Sequence, residues 1–307
     1  MKKVLTVLFV LVFTFVLVAC GGKTTEKNYV NPTTLEVQLI PSRDAAVLNL
    51  QRQPLEDMLE AELGMPVNVT VATDYNALIE AMKSEQVHVG LLATASYVLA
   101  HAEGAAEVIL KSLRYDVDDL GNLLTDQPLV DGYKSQLVVG LNSGITSIAD
   151  LEGKTIAIAS FTSTSGFVWP ANLLADNDLD PMNDVTWTNA GGHDAAILAV
   201  YNGQADAAFT FKDARTLVEN DYPDVYDKVI FVANTESIPN DTISVIPNLH
   251  PDLIAKVKAA FIAISQTEAG LEIIRAVYNH EGYAVATDDE YDIVRTYLAR
   301  QEDWEFN

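Results

Sequence analysis

Short β-rich segments alternate with helix-length amphipathic segments along most of the chain. The runs TLEVQLIPS, VNVTVAT and HVGLLA have the composition of strands, and PLEDMLEAELG and YNALIEAMKSEQ between them have the pattern of helices. This alternation favours an α/β fold in which mostly parallel strands are covered by helices. Ligands of such sheets bind beyond the carboxyl ends of the strands, so binding residues are expected directly after predicted strands.

Two parts of the chain are similar to each other and predict two lobes. Residues 75–90 align without a gap with residues 193–208, and both have the pattern helix, turn, strand. The alignment sets Tyr75 opposite His193, each at the start of its helix. Two α/β lobes would then face one another across a ligand cleft. We predict lobe 1 over residues 35–133 and 245–307 and lobe 2 over residues 134–244, with the two crossovers forming a hinge.

A run of hydroxyl side chains lies between the end of a predicted strand and the start of a predicted helix. Ser163, Thr164 and Ser165 are followed by Gly166 between the strand-like GKTIAIA and the helix-like ANLLADN. Free N–H groups and the helix dipole attract anions at such a position, and hydroxyls add hydrogen bonds. The run predicts an anion site. The simpler alternative is a helix cap, for which one hydroxyl suffices.

The N-terminus predicts export. Lys2 and Lys3 precede an uncharged run, residues 4–19, which is short for a membrane span and typical of a signal peptide. The following LVAC resembles the lipobox of bacterial lipoproteins, which implies cleavage after residue 19 and lipid attachment to Cys20. The alternative is an uncleaved membrane anchor. Cys20 is the sole cysteine, so no intrachain disulfide can form. Residues 20–34 are polar and predict a flexible tether. Together, the signal peptide, the lipobox and the tether predict an extracytoplasmic protein that is lipid-anchored to the cell membrane.

The charge balance excludes nucleic acid as a partner. The chain carries 43 Asp and Glu against 19 Lys and Arg, a net charge of −24 at pH 7. Duplex binding needs a basic patch, which this composition argues against. An anionic ligand is compatible with the charge only if local dipoles and hydroxyls outweigh the overall repulsive field.

Four segments together resemble one protein family. DYNALIEAMKSEQVHVGLLATASYVLA, GKTIAIASFTSTSGFVWP, NAGGHDAAILAVYNGQADAA and SIPND, in that order, are similar to the phosphonate, phosphite and phosphate substrate-binding proteins of ABC importers. The resemblance implies the type II periplasmic-binding-protein fold, a monomer without a cofactor, and an ABC permease and ATPase as partners. It implies binding and delivery of a phosphorus oxyanion.

The same resemblance implies a set of binding residues. The phosphonate headgroup would be held by Ser163, Thr164, Ser165 and His193, with Tyr75 and Tyr97 closing on it from lobe 1. Asp213 and Asp241 match acidic positions that meet the ammonium group in aminoalkylphosphonate binders, which points to 2-aminoethylphosphonate. The chain departs from the family's usual pattern at Ala93, Thr94, Trp169 and Thr242.

Three alternatives stay open. Ser165, His193 and Asp213 include the residue types of a hydrolase triad, although no GxSxG elbow occurs. A metal receptor would need ligands from His88, His101, His193, His250 and His280, none of which have zinc spacing. The same fold binding phosphite, phosphate, a sulfonate or a thiamin precursor is the third alternative.

Overall fold

A computed structural model describes residues 28–118, 122–302 and 304. The predicted signal peptide, residues 1–19, and the proposed lipidation site, Cys20, lie outside the described residues. Within the described ranges no helix has the length and apolar character needed to cross a membrane.

The described strands form two separate sheets. They are β1 (Leu35–Leu39), β2 (Val67–Val71), β3 (Val89–Leu92), β4 (Glu107–Leu113), β5 (Gly132–Gly140), β6 (Thr155–Ile158), β7 (Thr186–Asn189), β8 (Ala207–Phe211), β9 (Val229–Pro239), β10 (Thr242–Val245) and β11 (Gly282–Val285). The first sheet has the order β11-β4-β10-β3-β1-β2 and the second the order β7-β6-β8-β5-β9. In the first sheet β10 and β11 run against the other strands, and in the second β5 does.

Helices cover both sheets, as the alternating sequence pattern predicts. They are α1 (Ala45–Leu63), α2 (Tyr75–Lys83), α3 (Thr94–Ala102), α4 (Trp169–Ala175), α5 (His193–Tyr201), α6 (Val225–Lys228), α7 (Pro251–Ile264), α8 (Glu268–Tyr278) and α9 (Asp292–Ala299). A π-helical turn, Thr164–Val168, precedes α4 directly. The α/β class with two lobes is thereby confirmed.

Aspartate side chains start the two helices that bring lobe 1 residues to the cleft. Asp44 accepts hydrogen bonds from the N–H groups of Ala46 and Val47 at the start of α1. Asp74 accepts one from Ala77 at the start of α2, which makes Tyr75 the first helical residue. These caps satisfy N–H groups that a helix cannot pair internally. They fix the position of the loops that end β1 and β2.

The chain crosses between lobes two to three residues earlier than predicted. Residues 132–133, assigned above to lobe 1, pair with β9 in the second sheet, and residues 242–244, assigned to lobe 2, pair with β3 and β4 in the first. Buried Asn240 joins the crossovers. Its backbone N–H donates to the carbonyl of Asp131, and its side-chain amide donates to the carbonyls of Ser112 and Val130 at 2.9 and 3.0 Å.

The predicted tether is shorter than residues 20–34. The backbone of Val30 pairs with the segment before α7, donating to the carbonyl of Asn248 at 2.7 Å and accepting from the N–H of His250 at 2.9 Å. The ring of Tyr29 lies edge-on against that of His250. These contacts hold the chain against lobe 1 from Tyr29 onward.

Candidate ligand-binding cleft

A small cavity lies between the two lobes. Lobe 1 contributes the loop after β1, the start of α2, the end of β4, the residue before β10 and the end of α8, and lobe 2 contributes β5, the π-helical turn, the start of α5 and the end of β8. The cavity volume is about 30 Å³. Its polar and aromatic lining comprises Ser42, Arg43, Tyr75, Arg114, Tyr133, Ser163, Ser165, His193, Phe211, Asp241, Tyr278 and Asn279. Five of the eight predicted ligand residues therefore meet here: Tyr75, Ser163, Ser165, His193 and Asp241.

The hydroxyl run opens the π-helical turn. Oγ of Ser163 accepts from the N–H of Gly166 at 3.1 Å, so Ser163 is the helix cap of the simpler alternative and also lines the cavity. Gly166 is required here because a Cβ would lie 2.9 Å from Oγ of Ser163 and 3.3 Å from the backbone nitrogen of Ala159. The π-turn hydrogen bond joins the N–H of Val168 to the carbonyl of Ser163 at 3.1 Å. Turns of this kind often occur at functional sites.

His193 starts α5 and is neutral at physiological pH. Its backbone N–H donates across the cleft to the carbonyl of Ser42 at 2.9 Å. Burial lowers the pKa of His193 to about 4. Its ring lies edge-on to Phe211, and among the described residues its buried Nδ1 has no hydrogen-bond partner. A neutral imidazole offers the cavity one donor and one acceptor.

Arg114 is a binding candidate that the sequence did not reveal. It follows β4, and its guanidinium lies over the ring of Tyr133 and 3.6 Å from Oδ2 of Asp241. The buried Nε has no partner within the described part of the chain. Arg43 also lines the cavity, so two guanidinium groups lie near the hydroxyl run. In the sequence, only its position directly after a strand could have indicated that Arg114 binds a ligand.

Asp241 supplies the carboxylate of the cavity. Besides Arg114, it faces the buried ring of His280, with 3.9 Å between its Oδ2 and Nε2. Burial lowers the pKa of His280, so that ring is neutral at physiological pH. Neither contact is short enough for a normal hydrogen bond, so Asp241 retains acceptor capacity towards the cavity.

Three tyrosine hydroxyls remain protonated donors. Burial is the main cause that raises the pKa of Tyr75, Tyr133 and Tyr278 above the usual value of a tyrosine. The nearby carboxylate of Asp241 raises all three further. The hydroxyl of Tyr278 is already used, because it donates to the carbonyl of Ile40 at 2.7 Å.

Tyr97 lies away from the cavity. Its hydroxyl donates to Oδ1 of Asp288 at 2.5 Å, and its ring packs edge-on against that of Tyr291. The expected closure of Tyr97 on the ligand is not formed, because α3 directs this side chain towards the C-terminal segment. Tyr97 acts instead in the packing of lobe 1.

Thr164 also has other partners than a ligand. Its fully buried hydroxyl lies beside helix α3 of the opposite lobe, where it accepts hydrogen bonds from Oγ1 of Thr94 and from the N–H of Ala95. The middle hydroxyl of the run therefore joins the lobes, whereas Ser163 and Ser165 line the cavity.

Asp213 is turned into lobe 2. It pairs with buried Arg215, 3.3 Å from Nε, and accepts from the hydroxyl of Tyr226 at 3.3 Å. It lines a neighbouring cavity of about 290 Å³ rather than the one that contains Asp241. The structure therefore does not bring Asp213 and Asp241 together. Nor does it place Asp213 beside His193, as a hydrolase triad would require.

Comparison with known proteins identifies the family. Residues 37–291 match the family described as ABC transporter, phosphonate, periplasmic substrate-binding protein. The chain belongs to this family. Its members are transport receptors and not enzymes, so the hydrolase alternative is set aside. The family is extracytoplasmic and works with an ABC transporter.

Individual relatives agree with this assignment. The chain is 28% identical over 260 residues to the phosphate-import protein PhnD of Mycolicibacterium smegmatis, covering 79% of this chain and 76% of that protein. It is 24% identical to the phosphonates-binding periplasmic protein of Escherichia coli, covering 76% and 67%. A binding protein of an ABC phosphonate transporter from Pseudomonas aeruginosa has the same fold, with a TM-score of 0.77, 19% identity and coverage of 89% and 87%. A Prochlorococcus marinus structure in complex with methylphosphonate has a TM-score of 0.74 at 18% identity and coverage of 88% and 98%.

Proposed function

We propose that the protein binds a small phosphorus oxyanion, such as phosphate, phosphite or methylphosphonate, and delivers it to an ABC permease and its ATPase. The observation that carries the proposal is an interlobe cavity lined by hydroxyl and guanidinium donors. Tyr75, Ser163, Ser165 and Arg114 line it, and the Nε of Arg114 is buried without a partner among the described residues. Buried donors of this kind are costly unless a ligand satisfies them. Charge-assisted hydrogen bonds to an anion would do so.

Asp241 and neutral His193 favour an anion that carries a proton. A carboxylate in the cavity can only accept hydrogen bonds, so it repels an unprotonated oxyanion and accepts from a P–OH group. Phosphate, phosphite and phosphonates can carry such a proton near neutral pH, whereas sulfate and sulfonates cannot. We therefore infer that phosphorus oxyanions bind and that sulfate and sulfonates are rejected. A site built to bond a proton rejects analogues without it by about 10⁴-fold or more.

The geometry favours a small ligand over 2-aminoethylphosphonate. Only Asp241 of the two predicted ammonium partners faces the cavity, and it already lies beside Arg114. An ammonium group would have to share that carboxylate with a guanidinium. The second predicted ammonium partner, Asp213, lines the neighbouring cavity instead.

Isothermal titration against a ligand panel tests the proposal. The panel contains phosphate, phosphite, methylphosphonate, 2-aminoethylphosphonate, sulfate and taurine at pH 7.5. We expect heat of binding from the first three, weaker binding of the amino compound and none from the sulfur compounds. Sulfate binding as tight as that of phosphate would contradict the role given to Asp241. Tightest binding of 2-aminoethylphosphonate would contradict the preference for a small ligand.

We also propose that the mature protein begins at Cys20 and is anchored through lipid on that sulfur. The support is the LVAC sequence at the end of an apolar run. Mass spectrometry of the protein from bacterial membranes is expected to find a lipid-modified N-terminal Cys20, and Cys20→Ser should abolish that modification. An unmodified Cys20 still joined to residues 1–19 would show the uncleaved anchor instead.

A further inference from the structure

The first turn of α3 lacks a cap from its own lobe. The residue before the helix is Ala93, which has no side chain that can accept a hydrogen bond. The N–H of Ala95 instead donates to Oγ1 of Thr164 at 2.8 Å. Thr164 belongs to the π-helical turn of lobe 2, so the helix of one lobe is capped by a hydroxyl of the other.

Thr164 is fully committed as an acceptor. Its Oγ1 also accepts from Oγ1 of Thr94 at 2.9 Å, and a hydroxyl has two lone pairs. Thr94, Ala95 and Thr164 have no exposed surface. Beside them, Oγ of Ser96 donates to the carbonyl of Thr162 at 3.1 Å. Three hydrogen bonds thus join the start of α3 to the segment that carries Ser163 and Ser165.

We propose that Thr164 is a closure residue, whose hydroxyl caps α3 only when the lobes are together and thereby holds Ser163 and Ser165 against the lobe 1 side of the cavity. When the lobes separate, the N–H of Ala95 loses its acceptor, and water replaces the buried hydroxyl. The cap therefore favours the closed form over the open form. Thr164 positions the ligand-binding turn without touching the ligand.

A closure residue has a distinct effect on binding. The observed affinity is the intrinsic affinity multiplied by the fraction of protein in the closed form, so loss of the cap weakens all ligands by one factor. Helix caps are typically strong enough that this factor is roughly 2- to 30-fold in Kd. Loss of a direct ligand contact would instead weaken ligands unequally, according to the hydrogen bonds that each one makes.

The test compares three variants by isothermal titration with phosphate and with phosphite, a choice of probes that rests on the proposed function. Thr164→Val removes the hydroxyl at nearly constant volume, and Thr164→Ser retains it. Thr267→Val is the matched control, because Oγ1 of Thr267 caps α8 entirely inside lobe 1, accepting from Gly270 at 3.0 Å. We expect Thr164→Val to weaken both anions by the same factor and to raise the dissociation rate. Thr164→Ser and Thr267→Val should bind like the unmodified protein.

Interlobe distances give a readout that needs no ligand. Spin labels at Glu62→Cys in lobe 1 and Gln204→Cys in lobe 2, both exposed positions, are placed in a Cys20→Ser background. We expect Thr164→Val, and not Thr267→Val, to shift the distance distribution towards longer values. Unchanged affinity together with an unchanged distribution would overturn the proposal, as would a change in the ratio of the two Kd values. Failure of the unmodified protein to bind phosphate, phosphite and methylphosphonate would refute the proposed function, and the ligand-free distances would still decide the role of Thr164.

Discussion

His193 should make the stability of the protein depend on acidity. Burial lowers its pKa from 6.5 to about 4 in the folded protein. Between pH 6.5 and pH 4, His193 is protonated in the unfolded chain but neutral in the folded protein, so acid favours unfolding. The stabilisation is complete above pH 6.5, falls as the pH drops towards 4, and falls no further below that value. This lowering of the pKa from 6.5 to about 4 corresponds to about 3 kcal/mol of stability.

Urea unfolding of ligand-free protein at pH 7 and pH 4.5 measures this effect. Other buried groups also titrate in this range, so the informative quantity is the difference between the unmodified protein and His193→Gln. Glutamine keeps a donor and an acceptor but cannot take up the proton. We expect the free-energy difference between the two proteins to shift by about 2 kcal/mol in favour of the variant on acidification. His250→Gln, which changes a partly exposed histidine at the start of α7, far from the cavity lining, is the control. Equal acid sensitivity of the unmodified protein and His193→Gln would refute the argument.

Three further predictions concern the cleft and its surroundings. Ser165→Ala should weaken phosphate binding by about 10- to 150-fold in isothermal titration, because a charge-assisted hydrogen bond in a buried site contributes about 1.5–3 kcal/mol. Asp241→Asn should narrow the discrimination between phosphate and sulfate at least tenfold, measured as the ratio of the two Kd values, whereas Asp213→Asn should leave that ratio unchanged. Tyr97→Phe should lower the free energy of unfolding by about 1 kcal/mol through loss of its hydrogen bond to Asp288, with a phosphate Kd within about twofold of the unmodified value.

The sequence could predict the fold because the local patterns agree with the tertiary arrangement. Alternating strand and helix patterns are local, and they correctly predicted α/β lobes with Tyr75 and His193 at facing helix starts. The hydroxyl run likewise lies at a helix start, although that start is a π-helical turn. Side-chain direction was harder to predict. Thr164 lies between two cavity-lining serines and yet bonds to the other lobe, because Ser163 still has extended backbone geometry and the helical turn begins only at Thr164.

The remaining site residues depend on contacts that are distant in sequence. Asp213 was assigned to the ligand, but Arg215 two positions later takes its carboxylate. Arg114 and Tyr133 meet only because β4 and β5 end and begin at the same cleft in different sheets. The hydrophobic periodicity of the sequence contains no information about contacts between residues so far apart along the chain. The sequence patterns therefore did not predict that Arg114 belongs to the site.

The position of β10 sets an order of folding. All five strands of the second sheet, β5 to β9, come from the continuous segment 132–239. In the first sheet β10 lies between β3 and β4, and it is made only after that whole segment. An emerging chain can thus complete lobe 2 while lobe 1 remains in two parts with unpaired strand edges. We expect lobe 1 to stay susceptible to proteases and self-association until residue 245 has emerged, so that the binding cleft is among the last features of the receptor to form.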